Sequence, residues 1–483
     1  MPVTPYQTNL FQDHQQLYQL LDRGKQQSIE KDCTQIISIS QEIPLLDPLA
    51  VLQAIAQPNR LQFYLEKRIT NQAIAAIDAA ICLKIEGSDR FAKAKRFMQT
   101  CLTNTISKGN LDLPFAGPHF FCSFTFFEDQ QGLDSPFPAA TIFLPRWQVS
   151  LHKSHCVVVA NIEINSQVNL DLLVESLGSQ LRTISGSGRR ISAIKQKAEN
   201  QLIEEVAKNT EQFKLSVVSA LKSIQGNQFS KIVLANALDV VSPQPFNLVS
   251  SLEKLRSRHL DCYIFSTSNG KGETFIGASP ERLISIRNQQ LETDALAGSA
   301  PRGKTPAEDA EEADRLLSSE KERREHWFVR DFIVERLSGL GLIPEMRATP
   351  QLRQLSNIQH LWTPIQAQLL SNIHPLEIIA KLHPTPAVSG FPIQIAQEQI
   401  RRYETFDRSL YAAPLGWIDY QGNCEFIVGI RSALIESTPA CSTSPNTYRA
   451  RLYSGAGIVA GSDPNKELAE IQLKFQALLK GLL

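Results

Sequence analysis

The chain has 483 residues, with 49 Lys+Arg against 49 Asp+Glu, 42% hydrophobic and 7% aromatic residues. At about 150 residues per domain this is chain enough for one large core or two to three ordinary domains, and its apolar content excludes disorder for most of it. A formal net charge of zero argues against a protein that grips nucleic acid or a membrane through its overall field. An anionic ligand must therefore be held by a local site.

Residues 1–27 are polar and lack the apolar segment of a secretory signal. No stretch approaches about 18 uninterrupted apolar residues, and the most apolar one, Pro118 to Phe127, is too short to span a bilayer. The eight cysteines, at 33, 82, 101, 122, 156, 262, 424 and 441, form no Cys-x-x-Cys pair and no zinc spacing. These features predict a soluble, cytoplasmic protein with reduced thiols.

In chain order, the pattern predicts a helix near Asn9 to Ser40 and strands at Ala140 to Leu144 and Cys156 to Ile164. Gly186-Ser187-Gly188-Arg189-Arg190 marks a break and suggests two regions, 1–187 and 188–483. Ile194 to Ile224 then has a helical period. Two hairpins are predicted. Arg282 to Arg287 and Leu291 to Ala295 flank Asn288-Gln289-Gln290, and Gly416 to Tyr420 and Cys424 to Leu434 flank Gln421-Gly422-Asn423. Helical patterns run over Thr305 to Leu340, stopping at Gly339, and over Asn465 to Leu482, while Glu436 to Thr447 has the composition of an exposed loop. Strand runs separated by helices, without βαβ alternation, favour an α+β fold.

The last helix places Glu467, Glu470 and Lys474 at i, i+3 and i+7, on one face. Spacing alone fits a solvated stripe. The preceding segment, Arg451 to Val459, reads as a buried strand that breaks into small residues at Gly455-Ala456-Gly457, where backbone N–H groups can approach an anion. Paired carboxylates facing such a loop suggest a hard cation such as Mg²⁺, with Glu325 as a third ligand from a helix that turns inward at Trp327 and Phe328. His326 has the alternatives of a ligand, a base or a packed histidine.

Lys231 opens an apolar strand, where it stays in water or is drawn into a pocket; desolvation there lowers a lysine's pKa from about 10.4 and makes it a base. Glu281 pairs with Arg282 or, if buried, is fitted to donate a proton. Arg431 lies in a predicted strand, where its charge is costly unless it meets an anion, and a guanidinium suits a carboxylate.

From about Phe229 to Lys474 the chain resembles the chorismate-utilising enzymes, and within them the isochorismate synthases of the menaquinone/phylloquinone and siderophore branches. The matching segments are FSKIVLANAL (229–238), FIGASPERL (275–283), ETDALAGSAPRG (292–303), Glu325-His326, HPTPAVSGFP (383–392), FDRSLYAAPLGW (406–417), FIVGIRSAL (426–434) and SGAGIVAGSDPNKELAEIQLK (454–474). FYLEKR (63–68) and FPAATIFLPR (137–146) match more weakly, as the family's variable N-terminal half. The resemblance implies large layered antiparallel β-sheets with helices packed outside, a Mg²⁺ site at Glu325, Glu467 and Glu470, and a monomer that acts on chorismate. It also implies carboxylate-holding groups at Arg431, Gly455, Ala456, Gly457 and Lys474, a pocket lined by Gly298 and Ser299, a water-activating base at Lys231 and an acid at Glu281.

Among these relatives, Ala297 stands where aminodeoxychorismate-forming members often place a nucleophilic lysine, and the NPSPYM-like run of anthranilate synthases is missing. Salicylate synthases share the lysine, acid and metal positions, but several have threonine where this chain has Ala387. Isochorismate synthase is thus expected, with salicylate synthase the alternative and an inactive chorismate-binding protein a lesser one.

Overall fold

The computed structural model describes residues 10–11, 13–129, 135–187, 204–206, 210–355, 358–370, 372–436 and 448–482. It is an α+β protein in which one forked β-sheet carries the chain and helices cover it. The fork lies at the strand Ala140–His152. One edge of that strand pairs with Gln72–Ile85, and the other is shared by His155–Ile164 and His119–Phe124. All pairs are antiparallel except Gln35–Ile43 with Thr105–Gly109.

Two limbs grow from the fork. The first passes from Gln72–Ile85 through Leu61–Lys67, Tyr263–Asn269, Glu273–Ser279, Ser432–Glu436 and Tyr448–Val459 to Lys231–Ser242. The second passes from His119–Phe124 through Pro414–Asp419, Cys424–Val428, Arg282–Arg287 and Gln290–Pro301 to Ile358–Gln368. Strands from before and after residue 188 therefore sit side by side in both limbs, at Leu61–Lys67 with Tyr263–Asn269 and at His119–Phe124 with Pro414–Asp419.

The chain changes limb twice within a few residues, at Ser279-Pro280-Glu281 and at Gly429-Ile430-Arg431. The second hairpin arm, predicted as one strand from Cys424 to Leu434, is thus two strands, Cys424–Val428 and Ser432–Glu436, because Arg431 takes a left-handed backbone (φ 50°). A non-glycine residue in that region stores strain and needs its surroundings to hold it. Here Arg431 O accepts from Ala278 N at 3.1 Å, and Gly277 leaves room for that carbonyl.

Other local signals are realised. The first hairpin closes on Asn288 and Gln289, both with positive φ, the two-residue turn whose twist suits paired strands. The segment predicted as one helix from Thr305 to Leu340 is two, Pro306–Ser318 and Glu320–Ser338, because Ser319 leaves helical geometry and caps the second by accepting from Glu322 N; Gly339 ends it. At the last helix, Pro464–Leu482, Asp463 Oδ1 accepts from Asn465 N and Lys466 N at 3.0 Å each. The predicted N-terminal helix is confined to His14–Glu30, and Gln35–Ile43 is a buried strand: its β-branched run fits the sheet, whatever its place in a helical period. Of the segment predicted helical from Ile194, Glu204–Val206 is strand and Thr210–Gln225 helix. The remainder, the cut at 188, and residues 437–447 of the predicted exposed loop lie outside the described residues. Among the described residues no helix is long and apolar enough to cross a membrane.

Gly277 tests how tightly the two crossings are packed. A Cβ there would lie 2.6 Å from Arg431 O and 2.7 Å from the Phe265 ring. Gly277→Ala should destabilise the protein by about 1–3 kcal/mol through overpacking, measured as a shift of the denaturant midpoint at unchanged slope.

Candidate active site

The two crossings bring Glu281 and Arg431 to the same place, between the limbs. Both line a cavity of ≈ 110 Å³, together with Gly298, Ser299, Glu325, Ala387, Gly455, Gly457, Glu470 and Lys474. A larger cavity of ≈ 790 Å³, lined in part by His383, Pro384, Phe391 and Pro392 of the HPTPAVSGFP motif, holds none of the candidate catalytic, substrate-binding or metal residues.

Glu281 does not pair with its neighbour: Arg282 turns to Asp294, at 3.1 Å, and to Glu292. The Glu281 residue is 6% exposed, and burial pushes its carboxyl up to about 8, with Asp294 adding to the rise and Lys231 and Arg353 opposing it. At neutral pH it is a protonated acid facing the cavity. Arg431 is lowered by burial, with Cys262 and the Glu470 charge opposing and Arg353 adding to the fall; the groups in contact with it, Cys262 and His360, are neutral. A guanidinium held in that way is suited to an anionic ligand.

Lys231 is fully buried at the start of its strand, beneath Gly457 of the neighbouring strand. Its Nζ lies 2.9 Å from Glu325 Oε1, at ion-pair distance but without hydrogen-bond alignment. The sequence reading assigned base and metal ligand separately, and the structure places them in contact. Gly457 leaves room for this pair: a Cβ would sit 2.7 Å from Glu325 Oε1 and 3.4 Å from Lys231 Cε, so a larger residue would displace the Glu325 carboxylate. Lys231 itself is not among the residues that line the cavity: it lies behind the wall against Glu325, close enough for its charge to act on Glu281.

The segment Gly455-Ala456-Gly457 does not leave the sheet as expected. It remains strand, paired to Ala235, Leu234 and Val233, because small residues are tolerated where a neighbouring layer approaches closely. Beyond Tyr453 its other edge has no strand partner among the described residues, and Gly455 O there accepts from Lys474 Nζ at 2.8 Å. By alternation Gly455 and Gly457 turn their amides to this edge, so the predicted anion-facing backbone is an open strand edge. Ala456 is a correction: its methyl joins the hydrophobic core and does not line the cavity.

Glu470 accepts from Lys474 at 2.7 Å, the helical i,i+4 pair. Glu467 lies off the cavity wall, 3.7 Å from Lys321, and burial lifts its carboxyl to about 7, with Glu470 and Glu325 adding to the rise. The sequence reading missed Glu322. It is raised by burial and by Glu325 and Glu470, and it accepts from Ser299 N at 3.1 Å. Its i−3 spacing from Glu325 was the available signal. Four mutually repelling, partly buried carboxylates make an all-oxygen donor set of the kind a hard dication takes. As the side chains stand, Glu325, Glu467 and Glu470 each reach a lysine, and among the described residues no three His, Cys, Asp or Glu groups converge closely enough to hold a metal ion.

Gly298 forms a bulge with positive φ between Ala297 and Ser299, opposite Ile358–Gln368. The bulge aims Ser299 Oγ at His360 Nδ1, 2.9 Å away, while His360 Nε2 lies 3.4 Å from Arg431. Burial, then Arg431 and Lys474, keep this imidazole neutral. Because Arg431 only donates, Nε2 accepts and Nδ1–H donates to Ser299. His360, with no motif around it, was invisible in the sequence. His326 is the packed histidine, buried and 2.8 Å from Thr363 Oγ1.

Glu281 gives a test independent of turnover. Its folded-state pKa lies above the ordinary 4.5, so between 4.5 and about 8 the unfolded chain ionises while the folded one stays protonated. Its contribution to stability is therefore lost as pH rises through that window. Glu281→Gln should gain stability relative to the parent from pH 5 to pH 8, by at most about 1.4 kcal/mol per pH unit. Urea unfolding at several pH values reads this, and a pH-independent difference would mean the carboxyl ionises normally.

Comparison with known proteins places this geometry. The family model described as "Chorismate binding enzyme" matches residues 22–483. A salicylate biosynthesis isochorismate synthase of Pseudomonas aeruginosa is 32% identical over 466 residues, 95% of this chain and 92% of its own length. The isochorismate synthase MenF of Bacillus subtilis is 29% identical over 92% of this chain and 93% of its own. In fold, the chain matches the menaquinone-specific isochorismate synthase MenF of Escherichia coli with a TM-score of 0.74 at 24% identity, covering 96% of this chain and all of that one. With a family match over nearly its whole length, and a cavity lined by a buried acid and an arginine, this chain belongs to the chorismate-binding enzyme family.

Proposed function

We propose that the protein is an isochorismate synthase, which moves the hydroxyl of chorismate from C4 to C2 by attack of water. The observation that carries this reading is Glu281, protonated at neutral pH and lining the small cavity, together with the buried Lys231 just behind the wall, in contact with the lining residue Glu325 and acting electrostatically on Glu281. Hydroxide leaves poorly, so the departing C4 oxygen needs a proton, and incoming water must lose one. Glu281 supplies the first. Lys231 accepts the second as oxygen bonds to C2, the ring double bonds shift, and the C4–O bond breaks to release water.

Orientation comes from the remaining residues. Arg431, set by His360 and Ser299, would grip one substrate carboxylate, beside the open amides of Gly455 and Gly457. Glu325, Glu467 and Glu470, with Glu322 behind them, would hold a Mg²⁺, which when bound supplies positive charge for a substrate carboxylate. Positioning of this kind removes much of the entropic barrier. A reducing compartment such as the cytoplasm agrees with the seven described cysteines, all free.

The alternative, salicylate synthase, adds pyruvate elimination from isochorismate. Ala387 lines the cavity and offers only a methyl, with no hydroxyl to take part in that second step. Chromatography with chorismate as sole substrate should show isochorismate and no stoichiometric pyruvate, and activity should vanish on chelation and return with Mg²⁺. Fluorescent salicylate with pyruvate would instead establish the alternative. Lys231→Ala should lower kcat by about 10²–10⁴-fold while chorismate affinity changes little, because the amine acts on water in the transition state.

A further inference from the structure

Arg408 is fully buried and lines no part of the cavity, yet it ties together three pieces of the cavity's surroundings. Its Nη1 donates to Val388 O at 2.9 Å, and its Nη2 donates to Val233 O at 2.8 Å and to Glu404 Oε1 at 2.6 Å. Its Nε donates to Glu404 Oε2 at 2.8 Å, and Glu404 Oε1 in turn accepts from Ala235 N at 2.7 Å. The guanidinium also lies over the ring of Phe126, 4.4 Å from its centroid.

The strand Lys231–Ser242 explains why an ion pair is placed there. One edge pairs along its whole length with Tyr448–Val459. On the other edge, Gly390–Phe391 covers only Lys231 and Ile232, Ser389 O takes Val233 N, and the next strand, Glu204–Val206, begins opposite Asp239. At Val233 O and Ala235 N, Arg408 donates and Glu404 accepts in place of a missing strand. Backbone groups buried at that edge need such partners.

We infer that the buried Arg408–Glu404 pair is a positioning device for the catalytic base: it fixes the first turns of the Lys231 strand against the Ala387-Val388 wall of the cavity. Val233 and Lys231 are two residues apart, so they share one face of the strand, and holding Val233 holds the lysine. The same guanidinium holds Val388, next to Ala387, so strand and wall move together. Since a misplacement of about 1 Å can cost about 10²-fold in rate, a bidentate fork has an advantage over a single flexible ammonium.

This rests on Lys231 being the base, and a double-mutant cycle tests it. Arg408→Lys keeps the buried charge but loses the fork. It should lower kcat by about 10²-fold with KM for chorismate within about threefold. In a Lys231→Ala background the same substitution should change the residual rate by less than about twofold, because there is no base left to position. A merely structural role would lower the rate equally in both backgrounds. That additive result, or a near-normal kcat in Arg408→Lys, would overturn the inference. Should Arg408→Lys fail to fold, Glu404→Asp, which keeps the charge and shortens the reach to Ala235 N, is taken through the same cycle with the same outcomes. A parent enzyme that leaves chorismate unchanged would instead overturn the functional reading, and this inference with it.

Discussion

Charge removed from water must meet a partner or change its protonation, and the cavity between the two sheet limbs is organised by that constraint. Within and around it lie three lysines, an arginine and five carboxylates, most of them at least partly buried. They reach neutrality by different routes. Glu281 takes up a proton, Lys231 meets Glu325, Lys474 meets Glu470, and Arg431 is left to neutral neighbours. The partnerships that a substrate dianion and a dication would make are held by internal substitutes.

The backbone makes this arrangement possible through its two limb crossings. A strand ending in one limb and resuming in the other leaves a few residues outside any ladder, and Glu281 and Arg431 occupy those positions. Side chains at such points face neither sheet surface, so they can turn into the gap between limbs. The Gly298 bulge and the glycines at 455 and 457 complete the wall, the first by re-aiming Ser299, Gly455 by leaving room for the Tyr411 hydroxyl and Gly457 by leaving room for the Glu325 carboxylate and the Lys231 side chain.

The contrast between Arg431 and Arg408 shows how burial separates binding from support. Both lie in the family-like segments, and sequence gives no reason to treat them differently. Arg408 is closed off by Glu404 and two backbone carbonyls, so it has no capacity left for a ligand, whereas Arg431 retains it. Glu467 shows the reverse. It sits back from the cavity wall, yet its raised carboxyl registers the neighbouring Glu470 and Glu325.

The sequence by itself determined the α+β class, both hairpin turns and the helix stop at Gly339, because these depend on residues within a few positions of one another. It also supplied the ordered motifs from which Lys231, Glu281, Arg431 and the three glutamates were identified. Tertiary structure alone decided that Gly455-Ala456-Gly457 stays in a strand, that Ala456 faces the core, that Lys231 rests against Glu325, and that Glu322 and His360 join the site. Each depends on contacts between segments tens to hundreds of residues apart. Burial and electrostatic partnership are properties of those distant contacts, and local patterning of a chain carries no record of them.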